Sequence, residues 1–138
     1  MKRFLVTLTI LSAACVGTAM LNAYAAEKQS RKAPMIVHNV YFSLKDNSDT
    51  ERQSLVADSH RLLAPIPGIT FYAAGTLAEM RRDVNDREFD VALHVVFPDT
   101  EALEKYLVHP KHLEYVQKNK ANWDRVRVFD SRVDGAGS

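Results

Sequence analysis

Between residues 106 and 112 the chain reads Tyr106-Leu107-Val108-His109-Pro110-Lys111-His112, bringing a phenol and two imidazoles close together in sequence. An imidazole titrates near ~6.5 and can take up or return a proton at neutral pH, while a phenol can donate a hydrogen bond to an oxygen that gains charge. Two further histidines, His38 and His94, fall in segments dense in Ile, Val and Phe. His109 and His112 are three apart and could share a metal with His38 or His94. That spacing is common by chance, however, and no Asp or Glu lies on the same short turn, so no metal is assigned. Arg81, Arg82 and Asp83 read as a solvated loop. The sole cysteine, Cys15, lies in an N-terminal segment that reads as removable, which excludes thiolate, disulfide and cysteine-metal chemistry from the mature chain.

That segment begins with Lys2 and Arg3, continues with an apolar stretch from Phe4 to Ala14, and ends in Ala23-Tyr24-Ala25, the small-x-small form that signal peptidase reads. Residues 1–25 are therefore expected to be a signal peptide and the mature protein to be exported, periplasmic or secreted. An uncleaved anchor is the alternative and would be the only membrane contact. Thr7, Thr9, Ser12 and Gly17 interrupt the ~20 mostly apolar residues an anchor needs. Ser12-Ala13-Ala14-Cys15 is a poor lipobox, with Ser three positions before the cysteine. The formal charge of +1 becomes −1 once Lys2 and Arg3 are removed. Such a balance leaves no electrostatic footprint for nucleic acid, so small molecules and proteins are the partners to consider.

The elements that must position the histidines follow from periodicity. Residues 26–34 read as a linker, 35–134 as one domain and 135–138 as a frayed tail. Met35 to Leu44 alternates as a strand, with Ile36, His38, Val40, Phe42 and Leu44 on one face. Ser48 and Glu51 fit a capping box ahead of a helix over 49–64, which Pro65 stops. A second strand is expected over 69–77, with Gly75 as a bulge or bend, and a third over 89–97. Asp99 can cap a short helix. Pro110 then opens another, and a fourth strand is expected over 125–133. The order β-α-β-β-α(α)-β is the split βαβ of ferredoxin-like domains, an α+β fold with a four-stranded antiparallel sheet and helices on one face. In the third strand Phe89, Val91, Leu93, Val95 and Phe97 form one apolar series, while Ala92 and Val96 make the opposite series apolar too. With no spare segment to cover the second face, a homodimer of face-to-face sheets is expected. His94 should point at that dimer face.

Residues 38–45, Ile66-Pro67-Gly68-Ile69, Gly75, Phe97 with Asp99, Glu101, Ala102 and Leu103, and the 106–112 element together resemble the stress-responsive α/β-barrel domain family, over roughly residues 36 to 133. The resemblance implies a homodimeric α/β barrel. It also implies that Tyr106 and His112 occupy the acid/base positions of a plant branch of polyketide cyclases, with His38 as the strand-one histidine. A further histidine of that branch falls at Val91, so the constellation is incomplete. Tyr106, His112 and His38 are the candidate catalytic residues, and no cofactor is implied.

Each has a structural alternative: His112 as a helix-end cap, Tyr106 as a core aromatic, His38 as a hydrogen-bonded core histidine. Whether the protein turns anything over is left open. The reading adopted from the sequence is a barrel binding a small hydrophobic or aromatic ligand without turnover; the alternatives are a Tyr/His lyase or cyclase and, third, a cofactor-free or haem-linked monooxygenase. The third is weakened by the sole tryptophan, Trp123, which is expected outside the faces that would line a pocket. If the second holds, Tyr106, His112 and His38 should converge on one place between sheet and helices.

Overall fold

The computed structural model describes residues 34–134. The expected signal peptide with Cys15, nearly all of the expected linker and the expected tail lie outside them. No helix among the described residues is long and apolar enough to cross a membrane.

Strand β1 spans Met35–Leu44 and alternates without interruption, its even-numbered residues buried and its odd-numbered ones half-exposed. Helix α1 spans Asp49–Leu62, and its first turn is satisfied by Ser48, whose Oγ accepts from the Glu51 N–H. Gly68, at φ 92°, takes the left-handed turn that leads into β2, Phe71–Thr76. Strand β3 spans Val91–Phe97. Asp99 caps α2, Thr100–Leu107, by accepting from the Ala102 N–H at 2.8 Å. His109 caps α3, Pro110–Asn119, its Nδ1 accepting from the Lys111 N–H at 3.2 Å. A short 3-10 turn, Lys120–Asn122, leads into β4, Trp123–Val133.

The four strands form one sheet in the order β2-β3-β1-β4, with every neighbouring pair antiparallel. The inward series of β1 and β3 joins Leu55 and Leu62 of α1, Leu103 and Tyr106 of α2 and Tyr115 of α3 in a single core. Burying each such side chain is worth about 1.5–3 kcal/mol, which is what holds the helices to one face. A polar pin adds to this. Asp58 of α1 is buried, and Arg61 Nη2 at 3.0 Å and Lys118 Nζ of α3 at 2.7 Å neutralise it. Burial alone would raise its carboxyl, but the hydrogen bonds and charge of Lys118 and Arg61 hold it below the usual carboxylate range.

Three expectations need correction. Gly75 makes no bulge: it pairs regularly with Ala92, and the one register shift lies between Ser43 and Leu44 on the β1–β4 ladder. Phe89 does not join the inward series. It precedes β3, whose pairing with β1 starts at Val91, and it packs instead on outward-facing Tyr41 at a ring distance of 5.0 Å. Trp123 is not peripheral: it opens β4 and packs against Phe42 at 5.0 Å and Tyr115 at 6.0 Å. Its position therefore gives no ground against pocket chemistry.

Candidate functional site

His38 lies on the helix side of β1, 5% exposed, among apolar neighbours. A lone imidazole there needs a partner, and the sheet supplies one: β4 pairs with β1 so that Asp130 stands directly beside His38. His38 Nδ1 and Asp130 Oδ1 are 2.6 Å apart. An ionised carboxylate only accepts, so the Nδ1–H donates to it and a neutral His38 carries its lone pair on Nε2. Nothing local in the sequence marks Asp130, because a non-local register puts it there.

Helix α2 delivers Tyr106 above this pair. Its ring is 6.1 Å from that of His38, 5.0 Å from Phe97 and 4.8 Å from His112. His112 comes from the first turn of α3, beyond the break that His109 and Pro110 create, so one helix–turn–helix corner carries both groups. The three sequence-predicted residues thus meet in one place between sheet and helices. Among the described residues, neither the buried Tyr106 hydroxyl nor the buried His112 Nδ1 has a hydrogen-bond partner. Burial, with Tyr72 and Tyr115 adding to it, pushes the Tyr106 phenol well up, so it remains a protonated donor at neutral pH. Burial pushes His112 down, and the nearby His38 imidazole adds to this because two positive rings side by side would repel. The Leu107 backbone favours the charged form without completing a hydrogen bond, and His109 adds a further lowering. His112 is therefore neutral at pH 7.

A base oriented by a carboxylate, a protonated phenol and a second neutral imidazole can together move a proton and steady an oxygen that becomes negative. Val91, where the plant branch has its further histidine, is fully buried and brings no polar group. His94 is on the opposite face of the sheet, where its Nδ1 lies 2.7 Å from Asn39 Oδ1. His109 is occupied as the α3 cap. Among the described residues no three His, Cys, Asp or Glu side chains gather as metal ligands.

A cleft of about 510 Å³ lies on the opposite face of the sheet, walled by Tyr41, Phe89, Phe129, His94 and the Arg127–Asp86 ion pair. The two regions are separated by the sheet itself, and the convergent titratable groups are on the helix side. The open face is mixed in character. Phe71 and Phe129 are more than half exposed on it, and Arg125, Arg127 and Ser131 run beside them along β4.

The same architecture recurs in solved structures. A Dabb family protein with a ferredoxin-like fold from Mesorhizobium loti superposes with a TM-score of 0.61 at 24% identity, covering 74% of this chain and 99% of that one. A dimeric ferredoxin-like protein from Thermobifida fusca gives 0.63 at 17% identity, covering 74% and 93%. The hydroxynitrile lyase from Passiflora edulis gives 0.62 at 18% identity, covering 77% and 99%. No curated protein matches the sequence. The model of the Stress responsive A/B Barrel Domain matches residues 36–133, nearly the whole of the described sheet and helices. The chain therefore belongs to the stress-responsive A/B barrel (Dabb) family.

Proposed function

We propose that this is an exported, homodimeric A/B barrel protein whose helix-side chamber binds a small hydrophobic or aromatic molecule and carries out proton transfer on it, in the manner of a lyase or cyclase. One observation carries the chemistry: two buried polar atoms without partners, Tyr106 Oη and His112 Nδ1, lie against a histidine already oriented by a carboxylate. Buried polar atoms are normally satisfied, so a pair left open beside a base supports a ligand there. In this reading His38 Nε2 takes a proton from the ligand and Asp130 steadies the imidazolium. Tyr106 donates to the oxygen that gains charge, and His112 offers a second site for the proton. General-base catalysis contributes typically ~10²–10⁴-fold, and a single oxyanion donor ~10²–10³-fold.

Binding without turnover is the second reading. It is favoured by the apolar Val91 at the position of the missing histidine. Dimerisation is supported by the exposed Phe71 and Phe129 on the open face and by structural neighbours described as dimeric. Export rests on the sequence of residues 1–25.

Native mass spectrometry of the mature protein against a panel of small carbonyl compounds and phenols tests the chamber, followed by His38→Ala, His112→Ala and Tyr106→Phe. The expected result is a retained ligand that the wild type converts and each variant converts at least ~10²-fold more slowly. Retention with no conversion selects the second reading. Retention and conversion unaffected by all three substitutions would remove the chamber from the account.

A further inference from the structure

The chamber holds a second unsatisfied phenol that the proton-transfer scheme does not use. Tyr72 of β2 pairs with Val95 of β3, Val95 pairs with His38 of β1, and His38 pairs with Asp130 of β4. These four residues form one row across the sheet, all on the helix side. At ~4.8 Å between strands, the Tyr72 and His38 backbones stand about 10 Å apart with Val95 between them.

Among the described residues the buried Tyr72 hydroxyl closes no hydrogen bond, and neither does that of Tyr106. A third buried phenol nearby shows what a purely structural tyrosine does here: Tyr115 Oη lies 3.0 Å from Ser59 Oγ. Ser59 is close enough to ease the burial of Tyr72; its hydroxyl donates to the Leu55 carbonyl at 2.8 Å and lies 3.0 Å from Tyr115 Oη. Among the described residues no hydrogen bond to the Tyr72 hydroxyl closes. Packing alone would be served as well by phenylalanine, without the cost of a stranded hydroxyl.

We infer that Tyr72 is a ligand-positioning residue, a second hydrogen-bonding point at the far end of the chamber, and that the ligand carries two oxygen functions separated by a flat apolar body. This inference rests on the chamber proposed above. Leu93, Val95 and Phe97 supply the apolar floor between the two polar ends, and all three are fully or almost fully buried.

A matched pair of probes tests it: acetophenone, with one oxygen, and 4-hydroxyacetophenone, with a second across the ring. In calorimetric titrations the wild type should bind 4-hydroxyacetophenone about three- to tenfold more tightly, the worth of one hydrogen bond. Tyr72→Phe should abolish that preference and leave acetophenone within about twofold of wild type, whereas Tyr106→Phe should weaken both ketones alike. A urea midpoint for Tyr72→Phe at or above wild type confirms that the ring still packs. If acetophenone binds but the wild type shows no preference, or the preference survives Tyr72→Phe, the second point is overturned and the chamber stands. If neither ketone binds, both fall together.

Discussion

Replacing Tyr106 by phenylalanine should make the protein more stable while damaging its site. The ring is 1% exposed, and its packing against Phe97, His112 and His38 is preserved in the variant. Only the hydroxyl is lost, and in the folded chain that hydroxyl has exchanged water for nothing. Stranding such a group costs about 1–3 kcal/mol, and the small void left by one oxygen returns part of it, for a net gain of about 1 kcal/mol. Tyr115→Phe is the control. Its hydroxyl is bonded to Ser59, so the same chemical change should cost about 0.5–1.5 kcal/mol. The two substitutions should therefore move in opposite directions, about 2 kcal/mol apart. In a domain of ~100 residues each kcal/mol shifts the Tm by about 4–8 °C. Urea unfolding at one fixed protein concentration is the appropriate assay, because self-association would otherwise enter the midpoint. Loss of about 1 kcal/mol or more in Tyr106→Phe would mean that the hydroxyl has a partner within the fold, and the case for a ligand at this atom would collapse.

Asp130→Ala should release the His38 tautomer, seen in imidazole ¹⁵N shifts as protonation appearing at Nε2. Global stability should change by less than about 1 kcal/mol because Asp130 is half-exposed; an unchanged tautomer refutes the orienting role. Asp58→Ala should destabilise by about 1–2 kcal/mol at pH 7, less than a fully buried pair because Lys118 and Arg61 can turn to solvent. Since the folded carboxyl lies below its unfolded value of ~3.9, its contribution is present above that pH and is lost as acid titrates the folded form, so the gap between wild type and variant should narrow progressively as the pH falls below ~3.9. A constant gap between them down to low pH would show that the ion pairs do not act. Sedimentation should find dimers at micromolar concentration and monomers for Phe129→Arg, whose ring is exposed on the open face; a monomeric wild type would end the dimer proposal.

What could be read from the sequence was whatever is set by residues close in the chain. The two-residue alternation of β1, the Ser48 and Asp99 caps, and the helix break at Pro110 with His109 ahead of it are all local, and each is found where its pattern places it. Because the inward parity of β1 was legible, so was the burial of His38. The partner of His38 was not: Asp130 is 92 residues away and is brought in by the β1–β4 register, which no local pattern encodes. Asp58 was hidden for the same reason, since a charged residue on an amphipathic helix reads as exposed until Lys118 arrives from α3. Phe89 was misplaced because alternation was carried two residues past the true start of β3, and leaving the ladder frees a side chain from its parity.

The polar row across the sheet makes the chamber dependent on three independent alignments. Each of its members belongs to a different strand, and side chains reverse direction at every residue. A slip of one position on any ladder would therefore turn Tyr72, His38 or Asp130 out onto the opposite surface while leaving much of the hydrogen bonding intact. On the reading proposed above, ligand capture would thus be a gauge of correct strand alignment, able to tell the native fold from compact misaligned forms that circular dichroism would score as equally structured.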